Sequence, residues 1–298
     1  MSTEFPPHPT QPSALSAQHF AGAIWRLILP EALDGPENMA VDEALLASVG
    51  EGTAPPTLRF YEWHSPWISL GTGQQAGDLD AAALDARGWG TLRRSSGGTA
   101  VLHQGQLGYA LVLPAGHPLW EGDLAASYRR LAEPLALAFN RLGVRAEPAP
   151  ASLKARFSAG APPLAARICF SALGPYELLD QTGRKIIGNA QVRRRAAALQ
   201  HGTIQLFGNQ TDLVDVLANA TADERRDLVC YLSTHVGSLE DSSGHRFSAM
   251  KLATAIAEAF EDTLGVRFSL GTLNETECCQ ARALARSTYR NPDWTFRR

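Results

Sequence analysis

The amino-acid sequence predicts an α+β fold in which a mixed β-sheet is flanked by helices. Segments with an apolar residue at every second position, typical of strands, occur in two groups, between residues 57 and 114 and between 168 and 206. Segments with apolar residues three and four apart, typical of helices, lie between these groups and dominate after residue 209. Strand groups interspersed with segregated helices indicate an α+β arrangement.

The elements of the first half follow from the apolar period. In chain order we predict a strand at 24–29, a helix at 36–49, neighbouring strands at 57–63 and 67–70, a helix at 79–86, and three further strands between 91 and 114. The helix at 36–49 has Asp34 as its cap, and Asp42 and Glu43 are expected to face solvent. Gly88 closes the next helix. Residues 95–98, Ser-Ser-Gly-Gly, lie between two apolar segments and predict a hairpin.

The second half is interpreted in the same way. We predict a helix at 127–142, a strand at 144–147, a loop at 148–166, strands between 168 and 206, helices at 212–217, 248–264 and 274–287, and an extended C-terminal tail with an aromatic anchor. Two clear strands are 185–187 and 199–206, with a small-residue turn at 188–190 after the first. Asn274 or Thr272 is the expected cap of the last helix.

The composition is that of an ordinary globular protein. The 298 residues suffice to bury a substantial core, with 45% hydrophobic and 19% charged residues. A net charge of -3 gives no reason to expect nucleic acid as a partner. No apolar run approaches the roughly 18 residues of a membrane span, and the N-terminus lacks the pattern of a signal peptide. We therefore expect no membrane segment and a cytoplasmic location.

The N-terminal residues differ from the rest of the chain. Residues 1–20 are rich in Pro, Ser, Gln and His and have no apolar period, which predicts a disordered tail. The remainder contains no internal repeat and no linker strong enough to separate two domains. We therefore expect residues 21–298 to form a single domain that ends in helices.

The four cysteines are not spaced for a metal site or a disulfide framework. Cys169, Cys230, Cys278 and Cys279 form no C-x-x-C pair and no pair with histidine at ligand spacing. We therefore expect no metal, while chemistry at a single thiol stays open. Cys169 stands beside Phe170 in a strand-like segment, where it is either an inert core residue or a reactive thiol.

Lys185 stands among apolar and small residues. A lysine flanked by Ile186, Ile187 and Gly188 would cost free energy if it were buried without a role. An ammonium beside the thiol of Cys169 would favour the nucleophilic thiolate and could give a proton to a leaving group. We therefore expect the cysteine and the lysine to belong to one site.

Glycines and histidines add candidate ligand contacts. The pair Gly97 and Gly98 would let main-chain N–H groups approach a carbonyl, carboxylate or phosphate, with Arg94 as a neighbouring charge. The alternative is a tight turn flanked by solvated arginines. His103 and His201 are each either ligand contacts or core histidines with one backbone hydrogen bond.

Several motifs resemble those of the lipoate-protein ligase and octanoyltransferase family. RRSSGGTAVLH, GRKIIGNAQ and LQHGT occur in the family's order, at 93–103, 183–191 and 199–203. NMAVDEALL and the closing WTF also match, so the resemblance covers approximately residues 24–298. It implies the class II biotin/lipoate-protein ligase-like catalytic fold, a mixed sheet with helices around an acyl-binding tunnel.

The segment that begins at Cys169 resembles the LipM type of octanoyltransferase. It has the pattern C-F-x-x-x-x-x-Y-E-L of that type's nucleophile segment, and Lys185 falls where its essential lysine lies. The resemblance implies that an octanoyl group passes from acyl carrier protein, through a cysteine thioester, to a lysine of a lipoyl-domain protein such as glycine cleavage H protein. The chain departs from the pattern at Thr99, at 171–175 and at Gln181, which leaves the donor preference open.

Two alternatives remain beside the transferase. A lipoate-protein ligase would use ATP and Mg and no cysteine nucleophile, whereas the transferase needs no cofactor. A non-catalytic module would hold an acyl chain without turnover. The basic run at 193–195 is either a solvated face or a surface that speeds encounter with an acidic carrier protein.

The motifs and the resemblance together give a set of candidate site residues. Cys169 and Lys185 are assigned as catalytic. The candidate substrate-binding residues are Arg94, Gly97, Gly98, Thr99, Ala100, Val101, His103, Gly188, Asn189, Ala190, Gln191, His201 and Gly202. Main-chain amides of the glycine turn and near Gly188 are expected to stabilise the oxyanion.

Overall fold

The computed structural model describes residues 22–150 and 153–298. The strands of this part are β1 (Ile24–Ile28), β2 (Ala32–Leu33), β3 (Thr57–Trp63), β4 (Trp67–Leu70), β5 (Gly90–Arg93), β6 (Val101–His103), β7 (Gln106–Pro114), β8 (Ala146–Pro148), β9 (Leu178–Asp180), β10 (Ile187–Arg193), β11 (Ala197–Gln205) and β12 (Arg267–Leu270). The helices are α1 (Gly35–Gly50), α2 (Ala81–Arg87), α3 (Leu124–Arg141), α4 (Leu153–Ser158), α5 (Ala222–His235), α6 (Leu239–Ser243), α7 (Ala249–Leu264), α8 (Glu275–Leu284) and α9 (Pro292–Thr295). The tail predicted at 1–20 lies outside the described residues, and the single domain at 21–298 stays a prediction.

The strands form one large mixed sheet and two small sheets. The large sheet has the order β10-β11-β7-β3-β1-β12, and β2 pairs with β3. β1 runs parallel to β3 and β12, whereas β7 runs antiparallel to β3 and β11. The strands β5, β4 and β6 form a three-stranded sheet, and β8 pairs with β9. The predicted α+β class with a mixed sheet is confirmed.

Helices cover both faces of the large sheet. On one face, Phe60 and Tyr109 belong to a cluster with apolar residues of α3 and α7. On the other face, their neighbours Tyr61 and Ala110 pack with residues of α1 and α8. Successive side chains of a strand point to opposite faces, so β3 and β7 each contribute to both clusters. A third cluster joins the three-stranded sheet to α5.

The hairpin predicted around 95–98 is wrong. β5 and β6 do not pair with each other, because β4 lies between them, parallel to β5 and antiparallel to β6. β3 and β4, predicted as neighbours, accordingly belong to different sheets. The residues at 94–100 form a crossover loop at the end of β4, where the Thr72 N–H donates to the Ser96 carbonyl at 2.9 Å. A glycine pair indicates a change of direction but not the strand that pairs afterwards.

The predicted starts of α1, α7 and α8 agree with the structure, whereas α3 begins at Leu124, after its cap Asp123, and not at 127. The carboxylate of Asp34 accepts from the Glu37 N–H at the start of α1, and Ser248 and Asn274 cap α7 and α8. α5, α6 and β12 were not predicted, and the residues at 212–217 form a 3₁₀ turn (Thr211–Val216) in place of a helix. The loop predicted at 148–166 contains α4, and the tail predicted as extended contains α9. Pro292 starts α9, with Asn291 as its cap.

Within residues 22–150 and 153–298, no helix is long and apolar enough to cross a bilayer. The same residues contain no group of three or more His, Cys, Asp or Glu side chains arranged to hold a metal ion. All four cysteines are free thiols, and Cys230 and Cys279 are exposed. Cys230 serves below as a control for the half-buried Cys169.

Candidate active site

A pocket with about 420 Å³ of empty space lies between the large sheet and the three-stranded sheet. Its lining residues are Met39, Tyr61, Ser69, Arg94, Val101, His103, Cys169, Gly188, Asn189, Ala190, His201, Gly202 and Thr203. Cys169 and most of the predicted substrate-binding residues therefore meet at one cavity, although they come from segments far apart in the chain.

Cys169 lies at the start of a short 3₁₀ turn (Cys169–Ser171) and not in the strand that the sequence indicated. Its N–H donates to the carbonyl of Ala100 at 2.9 Å, and Ile168 bridges to Ala100 in a parallel arrangement. This turn therefore sits against the chain just before β6. The neighbouring Phe170 is fully buried, whereas Cys169 is half-buried and lines the pocket.

The glycine-rich loop approaches the sulfur through Gly98. This residue has a φ of 90°, and a Cβ placed on it would lie 3.7 Å from Cys169 Sγ and 2.8 Å from a nitrogen of Arg94. A Cβ on Gly71 would lie only 1.8 Å from the Gly98 carbonyl oxygen. Only glycine fits such close approaches. Within the described chain no protein acceptor takes the Gly98 N–H, so this donor is open to a ligand.

Arg94 builds this loop rather than offering its charge to a ligand. Its Nε donates to Ser96 Oγ at 3.2 Å, Nη1 donates to the carbonyl and hydroxyl oxygens of Ser69, and Nη2 donates to the carbonyls of Gly97 and Thr99. These contacts occupy all five guanidinium donors. Burial lowers the pKa of Arg94 from its ordinary value. Arg94 therefore lines the pocket but uses its hydrogen bonds to hold the loop in place.

Lys185 is 1% exposed and lies behind Cys169. Its ammonium donates to the carbonyls of Cys169 at 3.3 Å and Ala172 at 2.8 Å, and forms an ion pair with Glu177 Oε2 at 2.7 Å. It also lies 5.2 Å from the centre of the Phe170 ring. Lys185 therefore contacts Cys169 through the main-chain carbonyl of the cysteine. Its ammonium brings positive charge to the Cys169 turn.

Glu177 connects the parts of this arrangement. Besides the ion pair with Lys185, its Oε2 accepts from the Gly174 N–H at 2.6 Å, and its Oε1 accepts from the Asn189 N–H at 3.3 Å. One buried carboxylate thus joins the segment after Cys169, the lysine and β10. Glu177 lies in the Y-E-L motif, from which no role was predicted for it. Because the Asn189 N–H donates to Glu177, it is not available to stabilise an oxyanion.

A second chain of hydrogen bonds fixes the loop to α1. His201 Nε2 lies 2.6 Å from Ser96 Oγ, and His201 Nδ1 lies 3.3 Å from Asp42 Oδ2. Because an ionised Asp42 carboxylate can only accept, we assign the imidazole hydrogen to Nδ1, which leaves Nε2 to accept from the Ser96 hydroxyl. The expectation that Asp42 faces solvent is wrong, since it is 1% exposed and pairs with Arg59 at 2.7 Å.

Asp42 carried a signal that was missed. It stands three residues after Met39 and four before Leu46, and this spacing places all three on one helix face. A carboxylate at an apolar position is buried only when a cation or other donors satisfy it. The pocket residues Tyr61 and Ser69 carried no motif, and only the folded chain brings them to the site.

His103 closes the pocket on the side of β6. Its Nε2 lies 2.8 Å from Ser69 Oγ, its Nδ1 lies 3.1 Å from Gln106 Oε1, and its ring stacks on Trp63 with 3.8 Å between ring centres. Burial, together with the charge of Arg94, lowers the pKa of His103 to about 3. The ring is therefore neutral at physiological pH.

The residues at 188–190 form part of β10 and not the turn predicted for them. Gly188 pairs with Thr203, Asn189 with Gly202 and Ala190 with His201 across the antiparallel β10–β11 ladder. The motifs GRKIIGNAQ and LQHGT therefore lie on adjacent strands, which form one wall of the pocket. The reversal occurs after β10 instead, before Ala197. Gln191 lies outside the lining, where its amide donates to Ser127 and Gln200.

These contacts define what the site can do. A half-buried thiol faces a cavity whose lining includes Met39, Val101 and Ala190, which suits an apolar chain. An open main-chain donor at Gly98 lies close to the sulfur, where a carbonyl oxygen would gain negative charge on attack. The arrangement therefore fits formation of an acyl thioester on Cys169.

Comparison with known proteins gives the family. The family model described as the lipoyl protein ligase A/B catalytic domain matches residues 34–261. An octanoyltransferase LipM of Moorella thermoacetica is 38% identical over 275 residues, which cover 92% of this chain and 98% of that protein. The octanoyltransferase LipM of Kyrpidia tusciae is 37% identical over 275 residues, with 92% and 99% covered.

Solved structures show the same fold. A bipartite lipoate protein ligase of Thermoplasma acidophilum superposes with a TM-score of 0.74 at 24% identity, covering 93% of this chain and 97% of that chain. A lipoate-protein ligase A bound with ATP superposes with a TM-score of 0.71 at 23% identity, covering 93% and 99%. These likenesses confirm the predicted lipoate-ligase-like catalytic fold.

Proposed function

This chain belongs to the lipoyl protein ligase A/B catalytic domain family, and from this premise we infer that it is an octanoyltransferase of protein lipoylation. Relatives named octanoyltransferase LipM match it over nearly their whole length. The observation that carries the inference is the Cys169 thiol, which faces a pocket with an apolar lining and lies close to Gly98. An enzyme that activates its acid with ATP would need no thiol at this point.

In the first half-reaction, the Cys169 thiolate attacks the carbonyl carbon of the donor thioester. The carbonyl oxygen becomes an oxyanion, for which the N–H of Gly98, a residue close to the sulfur, is a candidate donor. Collapse of this intermediate breaks the donor carbon–sulfur bond, and the proton lost by Cys169 goes to the departing thiolate. The octanoyl group is then held on Cys169 as a thioester.

In the second half-reaction, the neutral amine of an acceptor lysine attacks the Cys169 thioester. A carbon–nitrogen bond forms, the carbon–sulfur bond breaks, and the amine proton balances the charge of the released thiolate. The products are an octanoyl amide and the free thiol. The same sulfur thus serves as nucleophile in one step and as leaving group in the other.

Lys185 acts on both steps through its contacts. Its ammonium holds the carbonyls on both sides of the 3₁₀ turn, those of Cys169 and Ala172, and so fixes the position of the sulfur. Glu177 keeps the ammonium in place, as a positioning residue.

We propose acyl carrier protein as the donor and a lipoyl-domain protein such as glycine cleavage H protein as the acceptor. Carrier proteins of this kind are acidic, so an exposed basic patch would speed encounter. Of the three consecutive arginines, Arg193 donates to Gly122, Asp123 and Ser127, and Arg194 pairs with Glu43. Arg195 is exposed and forms no ion pair within the described residues, which leaves its charge for a partner.

The test is the intact mass of the protein after incubation with octanoyl carrier protein and no ATP. The wild type should gain one octanoyl group, and Cys169→Ala should gain none, because the thioester has no other position in the pocket. Cys230→Ala serves as the matched control, since Cys230 is an exposed thiol outside the pocket and its loss should leave the labelling unchanged.

Two results would contradict the proposal. Octanoylation that persists in Cys169→Ala would remove the thioester mechanism. Exchange of pyrophosphate into ATP in the presence of the free acid, unaffected by Cys169→Ala, would identify a ligase in place of the transferase. If the proposal holds, adding a lipoyl-domain acceptor to the acyl-enzyme completes the transfer. The mass of the acceptor should then rise as that of the acyl-enzyme falls.

A further inference from the structure

One face of the strand β10 leads from the protein surface to the pocket. β10 is the outermost strand of the large sheet, and the side chains of Asn189, Gln191 and Arg193 share one face because they alternate along it. Gln191 and Arg193 both donate to Ser127 Oγ near the start of α3, at 3.3 and 3.1 Å. Arg193 is exposed, whereas Asn189 lines the pocket together with Cys169. The face of β10 that α3 covers therefore reaches from solvent to the pocket of the thiol.

The side-chain amide of Asn189 is oriented by its neighbours. The hydroxyl of Tyr109 accepts from Gln200 Nε2 at 3.0 Å and donates its single hydrogen to Asn189 Oδ1 at 2.6 Å. The amide oxygen is thereby fixed towards Tyr109, across Gly202, where a Cβ would lie only 2.3 Å from Asn189 Oδ1. No residue of 22–150 or 153–298 accepts from Asn189 Nδ2, so both of its hydrogens remain for a ligand.

Tyr128, the residue after Ser127 on α3, has a hydroxyl group without a partner. The residue is 8% exposed and belongs to none of the apolar clusters, and its hydroxyl forms no hydrogen bond with the part of the chain that the structure describes. Burial raises the pKa of Tyr128, and the negative charges of the nearby Glu177 and Cys169 raise it further, so the phenol keeps its hydrogen. A buried hydroxyl without a partner costs free energy until a ligand or water accepts its hydrogen bond.

The outer edge of β10 supplies hydrogen-bond acceptors. In an antiparallel ladder the N–H and C=O groups of one residue point to the same side, and the Asn189 N–H points away from β11, to Glu177 Oε1 at 3.3 Å. The carbonyls of Asn189 and of Gln191, two residues on, therefore lie on the outer edge, where no other strand of the described chain pairs with β10. Free donors and free acceptors thus lie side by side, which is the combination that a secondary amide binds.

We propose that this face and edge of β10 bind the amide-bearing arm through which an acyl carrier protein presents its thioester. The Tyr128 hydroxyl and Asn189 Nδ2 donate to the carbonyl of the amide nearest the sulfur, and an outer carbonyl of β10 accepts from its N–H. The arm then extends towards Arg193, and the strand spans about 13 Å between Asn189 and Arg193. This inference rests on the proposed acyl transfer and adds the residues that recognise the donor beyond its acyl group.

The experiment compares two octanoyl thioesters as donors to Cys169, with the rate of acylation measured by intact mass. The N-acetylcysteamine thioester has an amide at the position it occupies in the arm, whereas the S-pentyl thioester has the same length and no amide. Each rate is divided by the rate of the same thioester with free cysteine, which removes the difference in intrinsic reactivity. For the wild type we expect the amide probe to be favoured at least about tenfold, as two hydrogen bonds together provide.

Tyr128→Phe removes the hydroxyl and keeps the ring. We expect it to lower the preference for the amide probe about threefold to tenfold, while the rate with the S-pentyl probe changes by less than about twofold. Because no described residue bonds to the hydroxyl, the melting temperature should not fall. Asn189→Ala, which removes the Nδ2 donor, should lower the preference in the same range. Arg129→Gln is the matched control, because Arg129 is the exposed neighbour of Tyr128 on α3 and neither rate should change.

The outcomes separate the binding of the arm from the transfer on which it rests. A Tyr128→Phe enzyme that keeps the wild-type preference, or that is slowed equally with both probes, would overturn the arm site, while acylation of Cys169 would stand. A wild type that reacts with octanoyl carrier protein but with neither small thioester, or with both equally, would also overturn it. A wild type that no thioester acylates, octanoyl carrier protein included, would remove the proposed function and this inference with it.

Discussion

Glu177 shows how much a single buried carboxylate can organise. It is 3% exposed and makes contacts with Lys185, Gly174 and Asn189. A buried charge is tolerated only when it is paired and hydrogen-bonded, and here each partner belongs to a different part of the site. A displacement of the Glu177 side chain would therefore disturb the segment after Cys169, Lys185 and β10 together.

Glu177→Gln is expected to slow acylation of Cys169 by about tenfold to a hundredfold. The amide keeps the shape of the side chain but not the charge that holds the Lys185 ammonium. Hydrogen bonds to charged groups contribute about 1.5–3 kcal/mol, which corresponds to that range of rates. The measurement is the single-turnover rate of octanoyl transfer to Cys169, followed by intact mass between pH 6 and 9.

Glu147→Gln is the control for this change. Glu147 is an exposed residue of β8, the strand that pairs with β9 beside Glu177, and its substitution should leave the rate unaffected. If Glu177 acts through Lys185, the pH dependence of the rate should change as well as its maximum. A Glu177→Gln enzyme with wild-type rates at every pH would show that the carboxylate is only a structural contact.

At the scale of elements, one buried carboxylate of α8 binds residues of both β1 and α1. Glu277 Oε1 accepts from Arg26 Nη2 at 2.7 Å and from Ser48 Oγ at 2.6 Å, and Oε2 accepts from Arg26 Nη1 at 2.8 Å and from the Asn274 N–H at 2.9 Å. Burial raises the pKa of Glu277, but the hydrogen bonds from Arg26, Ser48 and Asn274 outweigh it and hold the pKa below its ordinary value.

Glu277→Gln should lower the free energy of unfolding by about 3 kcal/mol at pH 7, because it leaves a buried arginine without its partner. A carboxyl group whose pKa is lower in the folded state stabilises the fold above its unfolded pKa of about 4.3. This contribution is lost as the pH falls through the folded pKa. The difference between wild type and Glu277→Gln should therefore be constant from pH 7 to about 5 and shrink below about 4.

Urea unfolding at pH 7, 5, 4 and 3.5 measures this difference. Glu275→Gln is the control on the same helix, because Glu275 is exposed in the first turn of α8 and should contribute less than about 1 kcal/mol. A wild-type advantage over Glu277→Gln that grows towards low pH would contradict the assignment, since the sign of the linkage would be reversed.

Elements were predictable from the sequence where their determinants are local. Asp34 and Asn274 mark the starts of α1 and α8 because each cap bonds to a main-chain N–H three residues on. The pairing of β4 between β5 and β6 was not predictable, since register depends on partners distant in the chain. α5 was missed because few of its residues are buried, so it has only a weak apolar face.

In the site, too, the predictable residues are those with local determinants. Cys169 and the glycine pair could be found from motifs, because their chemistry depends on residue type and order. The support that holds them could not, since Glu177 and Asp42 act through contacts with Lys185 and His201 that exist only in the fold. The apolar face around Asp42 indicates that its carboxylate is buried, but no local pattern identifies the partner with which a carboxylate pairs across the molecule.

At the scale of the whole molecule, the pocket lies between two sheets with separate cores. The large sheet contributes Tyr61, Gly188 and His201 to the lining, and the three-stranded sheet contributes Ser69 and Val101. The first group belongs to strands packed between α1, α3, α7 and α8, whereas the second packs near α5. A chain bound in the pocket would contact both sheets at once and couple them.

Octanoylation of Cys169 is therefore expected to raise the melting temperature of the whole protein. The acyl chain is attached to the thiol in both the folded and the unfolded state, so its burial on folding adds directly to stability. At about 0.8 kcal/mol per methylene, even partial burial that gains about 2 kcal/mol corresponds to about 4–8 °C for a chain of this size. Acetylation of the same thiol, which adds one methyl group, should shift the melting temperature much less.

Thermal unfolding of the two acyl-enzymes, with intact mass taken before and after each melt, gives the comparison. Equal melting temperatures for the acetyl and octanoyl forms would mean that the chain stays outside the pocket, whereas added hydrogen-exchange protection at both 101–103 and 188–190 would show that it joins the two sheets.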